Sequence, residues 1–392
     1  MAVGLTEAEV RAADVARTSY GRLLALLAAP TRDIPAAEDA LAAAFLAALE
    51  NWPGGIPSNP HAWLLTVARN KLRDTYKSSA AKGVPLEDVF TVTDDLDLEA
   101  IPDKRLELLF VCAHPAIDPA VRTPLMLQTV LGFESVDVAR AFNVPAAAMA
   151  QRLVRAKKRI RDAGIPFGVP SRADMPARLP PVLEAIYGAY AIDFLVAGTT
   201  VRDSLAAEAL YLAVTLASLL DEPEALGLAA LLSLSMSRRT TSFIPLDEQN
   251  PADWDAALIA QGDALLQRAL SHDQVGRFQL EAAIQQWHTS RSTDEDALRT
   301  LYRALIVVAP TLGAHVSLAS LLSPAEGLAY LDALGPAADR FQPAWATRAH
   351  LLVQSGQDAR AAYEKAISLT TEPAVRRYLQ DRANQSVAPE QA

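Results

Sequence analysis

The fold is decided by the stretch Ser135-Val-Asp-Val-Ala-Arg-Ala-Phe-Asn-Val-Pro-Ala-Ala-Ala-Met-Ala-Gln-Arg-Leu-Val-Arg-Ala-Lys-Lys-Arg-Ile-Arg-Asp-Ala163. Val136, Ala139 and Phe142 share one face of a short helix at helical spacing. Asn143-Val144 makes a turn, and Pro145 suits the first position of a new helix, where its missing N–H costs nothing. This pattern predicts two helices joined by a tight turn.

The second helix of this stretch is basic. Its inward positions, at a spacing of three or four, are Met149, Leu153, Ala156 and Ile160. The outward positions are Gln151, Arg152, Arg155, Lys157, Lys158, Arg159 and Arg161. Six of these side chains are basic, and the helix contains one acidic residue, Asp162. Small residues at the helix start would let Gln151 and Arg152 approach bases in a major groove, with phosphates further along. The alternative is a solvated basic face on an ordinary helix pair.

The segment from Pro145 to Phe167 resembles region 4 of extracytoplasmic-function sigma factors, in particular the group with a long helical C-terminal extension. The resemblance implies that region 4 reads the −35 promoter element. Its implied DNA-binding residues are Ala147, Ala148, Gln151, Arg152, Arg155, Lys157, Lys158 and Arg159. Two helices predicted at 106–113 and 120–131 would pack under the helix-turn-helix and support it. Cys112, in the first of them, is expected to have a packing role.

Three further helices are predicted upstream, at about 8–29, 36–50 and 61–76, with Phe45 and Leu49 among the inward side chains. Ala37-Glu-Asp-Ala-Leu-x-x-Ala-Phe45 and Ala62-Trp-Leu-x-x-Val-Ala-Arg-Asn70 resemble region 2 of the same family. The resemblance implies a polymerase-docking surface at Glu38, Asp39, Ala42, Ala43 and Leu46. It implies recognition of the −10 element by Ser58, Asn59, His61, Arg69, Asn70, Arg73 and Lys77. Trp52 and Trp63 are expected in the core rather than stacked on bases.

Two departures from the family pattern bear on activity. Ala42 and Ala43 stand where the docking helix often has polar residues, and the basic run after the −10 helix is thin, with only Lys77 and Lys82. Fewer phosphate contacts predict weaker DNA binding and a shallower salt dependence.

The composition predicts an all-α protein of several domains. The chain has 392 residues, 51% of them hydrophobic and 6% aromatic, with abundant Ala and Leu. The sequence shows neither an apolar run that would span a bilayer nor a secretion signal, and Cys112 is its one cysteine, so a cytoplasmic location is expected. The net charge of −10 lies mostly after residue 170, away from the basic helix.

The predicted order is sigma region 2 (1–82), an acidic linker (83–103) with seven acids and no base, region 4 (104–168) and a helical extension (174–385). Eleven helices are predicted after residue 174. Ala329-Tyr-x-x-Ala-Leu334 recurs as Ala362-Tyr-x-x-Ala-Ile367, and the segment from Gly356 to Leu369 resembles the second helix of a tetratricopeptide repeat.

The sequence bears on three classes of function. The first is a promoter-recognition factor whose partners are core RNA polymerase and promoter DNA, with intramolecular contact between the extension and the sigma domains and no membrane. The second is an adaptor built on the repeat half, with a degenerate DNA-binding front. The third class is an enzyme, which the sequence does not support. Its six histidines are scattered, and neither a phosphate-binding glycine loop nor a catalytic, metal or cofactor site is recognisable.

Overall fold

The computed structural model describes residues 6–80, 101–171, 173–194, 203–240 and 243–386. Every regular element in these ranges is a helix, which confirms the all-α prediction. The predicted acidic linker lies largely outside the described residues. Its last three positions are already helical, because the next helix begins at Ile101.

Residues Met1–Asp193 and Val201–Thr215 form the first of two compact units. This unit therefore includes residues both of the predicted region 4 (104–168) and of the predicted extension (174–385). Its helices are α1 (Glu7–Thr31), α2 (Ile34–Asn51), α3 (Pro60–Ala80), α4 (Ile101–Cys112), α5 (Pro119–Thr129), α6 (Ser135–Ala141), α7 (Ala146–Asp162), α8 (Met175–Phe194) and the first part of α9 (Asp203–Leu220).

Local hydrogen bonds define where the first helices begin. The Thr6 hydroxyl and the Glu9 carboxylate form a capping box on α1. Arg32, with φ of 54°, ends α1, and the Asp33 carboxylate then accepts a hydrogen bond from the Ala36 N–H at the start of α2. The Asn59 side chain does the same for α3 by accepting from the Ala62 N–H.

The core of the first unit depends on close helix packing. Helix α1 contacts α2, α3 and α4, while α5 contacts α4, α6 and α7. A Cβ at Gly21 of α1 would lie 1.8 Å from the Val130 carbonyl oxygen, so only glycine permits this approach of α1 to the end of α5. Helix α2 also contacts α7, which joins the predicted docking helix to the predicted recognition helix.

The second unit comprises Phe194–Thr200 and Leu216–Ala392. After the last residues of α9 it contains α10 (Pro223–Met236), α11 (Ala256–Leu270), α12 (Arg277–Thr289), α13 (Glu295–Val308), α14 (Leu312–Ser320), α15 (Pro324–Ala333), α16 (Gln342–Gln354), α17 (Arg360–Leu369) and α18 (Pro373–Ser386). Helix α10 packs against α11 and α12, and from α12 onward each helix contacts the next. Separate apolar clusters lie along this succession of helices.

Most predicted helices are present, within a few residues at their ends. The prediction of an inward Leu49 is wrong, because this side chain is 41% exposed. The other side chain predicted to point inward, Phe45, is partly buried. The buried face of α2 consists mainly of small residues, Ala37, Ala40, Ala44 and Ala48, together with Leu41. By helical spacing Leu49 lies about 100° around α2 from Ala48, outside this face.

Candidate nucleic-acid interface

Helices α6 and α7 are joined by a tight turn, as the sequence predicts. Asn143 lies in the left-handed region with φ of 51°, and the Val144 N–H donates to the Ala139 carbonyl at 2.9 Å. Pro145 was expected at the first helical position but is the N-cap, with an extended ψ of 135°. Its carbonyl accepts from the Met149 N–H at 3.0 Å, so the helix begins at Ala146.

The inward face of α7 agrees with the predicted spacing. Met149, Leu153, Ala156 and Ile160 are at most 8% exposed. Among the predicted −35 residues, Ala148 is partly buried, and those that are exposed are Ala147, Gln151, Arg152, Arg155, Lys158 and Arg159.

The outward prediction is wrong for Lys157, which is 6% exposed. Its Nζ lies 2.5 Å from Oε1 of Glu38 on α2, and one turn later Nη1 of Arg161 lies 3.7 Å from Oδ2 of Asp33. We call Lys157 and Arg161 the paired flank of α7. We call Arg152, Arg155 and Arg159, which lie on the other side of the helix by helical spacing, the open flank.

Cys112 and Tyr20 interact electrostatically with the Lys157–Glu38 pair. Burial raises the pKa of the Cys112 thiol to about 12, while the nearby Lys157 charge acts in the opposite direction. Burial, and after it the Glu38 charge, raises the pKa of Tyr20. Sγ of Cys112 lies 3.6 Å from the Thr129 hydroxyl, consistent with its predicted packing role. The pair therefore occupies a poorly solvated site next to α1 and α4.

Helix α3 presents a polar stripe that contains several of the predicted −10 residues. Asn70, Arg73 and Lys77 are exposed at a spacing of three and four residues, so they lie on one face. Nη1 of Arg73 donates to Oδ1 of Asn70 at 3.3 Å. Arg69 is only partly exposed, and burial followed by the Arg73 charge lowers its pKa. The stripe therefore presents hydrogen-bonding groups and positive charge at the surface.

The remaining predicted −10 residues lie in the loop before α3 and in the first turn of that helix. Ser58 and Asn59 are exposed, although the Asn59 side chain is engaged in capping α3. His61 is partly buried, and burial, followed by the charges of Arg22 and Arg11, lowers its pKa. A neutral imidazole at His61 is therefore favoured at neutral pH.

The two tryptophans beside this loop pack together. Trp52 is 2% exposed, and its ring meets that of Trp63 edge to face with centroids 5.7 Å apart. This geometry agrees with the predicted core role, which is full for Trp52 and partial for Trp63.

The predicted polymerase-docking residues differ in accessibility. Asp39, Ala42 and Leu46 are exposed, and Leu46 reaches 63%. Ala43 and Glu38 are partly buried, and Glu38 is occupied by Lys157. Docking through Asp39 and Leu46 is therefore compatible with this packing, whereas docking through Glu38 requires the ion pair to separate.

The burial of Lys157 could have been anticipated from helical spacing, although its positive charge suggested an exposed position. Lys157 is four residues after Leu153 and three before Ile160, so helical spacing places it at the edge of the buried face. Its charge favoured an outward position. Position 157 is thus recognisable as a boundary position, but its partner Glu38, 119 residues away, is not.

Within the described ranges, neither a candidate metal-ion site nor a candidate membrane-spanning helix is present. No group of three or more His, Cys, Asp or Glu side chains there could hold a metal ion. No helix in those ranges is both long enough and apolar enough to span a membrane.

Comparisons with known proteins agree with the front part of this site. Residues 16–82 match the model of Sigma-70 region 2, and residues 178–270 match a family of unknown function, DUF6596. An uncharacterized protein of Rhizobium meliloti (strain 1021) is 33% identical over 377 residues, which cover 89% of each chain. No solved structure matches. The Sigma-70 match supports a role in transcription initiation through core RNA polymerase and promoter DNA.

Proposed function

Since this chain belongs to the same family as the uncharacterized Rhizobium meliloti protein and contains a Sigma-70 region 2 domain, we propose that it is an extracytoplasmic-function sigma factor. It directs RNA polymerase to specific promoters and has a fused regulatory extension. The observation that carries this proposal is the basic helix α7, which follows a tight turn and keeps its open flank accessible. Its location would be cytoplasmic, together with the polymerase.

Region 2 would bind the polymerase and the −10 element through different helices. The exposed Leu46 and Asp39 of α2 supply a mixed apolar and acidic docking surface. The stripe of Asn70, Arg73 and Lys77 on α3 supplies hydrogen-bond donors and positive charge for the separated −10 strands.

Region 4 would bind the −35 element through α7. The open flank and Lys158 can contact phosphates directly because they are exposed. For Lys157 to bind a phosphate, it must first leave Glu38. In this proposal the transition to the promoter-bound form separates α2 from α7 and exchanges protein carboxylates for DNA phosphates as partners of the paired flank.

Contact between the extension and the promoter-reading part is supported by Arg105 on α4. Arg105 is 3% exposed, forms an ion pair with Glu208 and lies over the Tyr211 ring, 5.5 Å from its centroid. Burial lowers the pKa of this guanidinium to about 10. Glu208 and Tyr211 belong to the segment 178–270 of the second family match. In this proposal that segment transmits a signal to region 4, and the successive helices α12–α18 act as a tetratricopeptide-like surface that receives it.

Binding of the full chain to purified core RNA polymerase tests the function. We expect a one-to-one complex in gel filtration, and Leu46→Glu should weaken it about tenfold or more, because a charge replaces an apolar contact. Leu270→Glu is the matched control, since Leu270 is 53% exposed and lies on α11 of the second unit. Failure of the unaltered chain to bind polymerase would reject the sigma-factor proposal and favour the adaptor.

A further inference from the structure

The connection between α10 and α11 is a long loop whose two ends meet. The Asp255 N–H donates to the Ser237 carbonyl at 2.9 Å, which joins the end of α10 to the start of α11. Residues 243–254, which we call the strap, lie between these ends. A loop closed in this way can make contacts of its own, because the helices on either side are held together without it.

Hydrogen bonds and a ring contact order the strap beside α12. Nε2 of Gln249 donates to the Ile244 carbonyl at 3.0 Å, and Nε1 of Trp254 donates to Oε1 of Gln249 at 3.2 Å. The Arg238 guanidinium lies 5.9 Å from the centroid of the Trp254 ring and also donates to Gln285 on α12. One end of the strap is therefore anchored at the first helix of the succession α12–α18.

The other end of the strap reaches the last helix, α18. The rings of Phe243 and Tyr378 meet edge to face with centroids 5.5 Å apart, and the Arg382 guanidinium lies 5.8 Å from the centroid of the Tyr378 ring. Burial raises the pKa of Tyr378, whereas the Arg382 charge lowers it. The charges of Glu248 and Asp247 raise this pKa further, so both strap carboxylates lie near the ring.

The surroundings of this contact suit an exchange of partners. Phe243 and Ile244, the apolar side chains at this end of the strap, are 41% and 38% exposed, so the contact covers them only in part. Helix α18 contains three arginines and one acidic residue, although most of the net charge of −10 lies in the same half of the chain. A basic helix in an acidic region favours acidic partners over other surfaces.

Resting on the proposed signal-receiving role of α12–α18, we propose that the face of α18 around Tyr378 and Arg382 is a docking surface for an acidic segment with an aromatic side chain. The strap occupies this surface as an internal ligand, with Phe243 against Tyr378. The partner is an extended segment that supplies one aromatic residue and at least two carboxylates, and it binds by replacing the strap. Because the strap is tethered, only a segment that binds more tightly can displace it.

The test uses the full chain and a fluorescein-labelled synthetic peptide, Phe-Ile-Pro-Leu-Asp-Glu-Gln, which is the sequence of residues 243–249. The unaltered chain should bind the peptide weakly in anisotropy titrations, because the tethered strap competes at an effective concentration of about 1 mM. Phe243→Ala should tighten peptide binding about tenfold, since the strap then lacks its aromatic contact. A peptide with Asn and Gln in place of Asp and Glu should bind this variant about fivefold more weakly.

Leu270→Ala is the matched control, because Leu270 is a 53% exposed apolar side chain of the same unit that lies outside the strap. It should bind the peptide as weakly as the unaltered chain does. Adding Arg382→Ala to Phe243→Ala should cancel about fivefold of the gain, and adding Tyr378→Ala should cancel all of it. Hydrogen exchange gives a second readout: α18 should exchange faster in Phe243→Ala, and the peptide should restore its protection.

Equal peptide affinity of the unaltered chain and Phe243→Ala, or unchanged binding after Arg382→Ala, would overturn this inference. Neither polymerase nor promoter is present in the assay, so that result would leave the promoter function standing. Conversely, peptide binding as expected in a chain that fails to bind polymerase would support the docking surface and reject only the promoter function.

Discussion

The open and paired flanks of α7 are both positively charged, but the open flank faces solvent and the paired flank faces acidic side chains of α2 and its N-cap. Arg152, Arg155 and Arg159 on the open flank are exposed to solvent. On the paired flank the Lys157 side chain is 8% exposed and faces Glu38, while Arg161 is 43% exposed and lies 3.7 Å from Asp33. The two flanks differ because Asp33 and Glu38, at the start of α2, pair with Arg161 and Lys157 on one flank.

This difference shows that a count of basic residues overstates the positive charge that α7 can offer to DNA. Two of its six cations are neutralised by acids of region 2 in this packing. Glu38 is at the same time a predicted polymerase-docking residue. In the proposed function, the Lys157–Glu38 contact would couple the polymerase-docking surface to the DNA-binding surface, because the two residues bind each other while the pair is intact.

The largest expected effect is on DNA binding through the open flank. Replacement of Arg152, Arg155 and Arg159 together by alanine should lower the affinity of the polymerase-bound chain, for a duplex that the unaltered chain selects from a random-sequence library, about 100-fold. The slope of log affinity against log salt should fall by about 3, since each phosphate contact contributes about 0.9. Anisotropy titrations between low and moderate salt measure both quantities.

Three substitutions of exposed arginines elsewhere provide the control for this variant. Arg291, Arg340 and Arg360 in the second unit are exposed, and their replacement by alanine changes the net charge equally. An equal loss of affinity in both triple variants would mean that overall charge, not the open flank, determines binding.

The next effect is on stability and concerns the paired flank. Lys157→Ala should lower the free energy of local opening of α2 and α7 by about 2 kcal/mol, because Glu38 stays partly buried without its counter-charge. Lys158→Ala, the adjacent exposed position, should change it by less than about 0.5 kcal/mol. Hydrogen exchange of the two helices measures the difference, and equal protection in both variants would contradict a stabilising role for the pair.

The smallest effect is expected within the paired flank itself. Arg161→Ala removes an ion pair that is wider and more solvated than that of Lys157, so it should cost about 0.5 kcal/mol or less. The same exchange experiment applies. A cost as large as that of Lys157→Ala would show that Asp33 depends on Arg161 in addition to its bond with the Ala36 N–H.

Several elements of the candidate site could be predicted from local sequence. The turn at Asn143, the buried line of Met149, Leu153 and Ile160, and the exposed stripe of α3 depend on spacing along one helix or one turn. Leu49 was mispredicted because the buried face of α2 consists mainly of alanines, and the larger Leu49 lies outside that face. Side-chain size and apolar character alone do not show which face of a helix is buried.

The sequence by itself determined that this protein is all helical, where its helices lie, and which face of α7 is buried, because capping residues and 3.6-residue periodicity act over short distances. Only the tertiary structure decided that Lys157 is buried against Glu38 and that one flank of α7 is paired with acids while the other is open. Periodicity marks a position as inner, outer or boundary, but it does not identify the partner. That partner is 119 residues away, and its position results from the packing of α1 on the end of α5 and of α2 on α7.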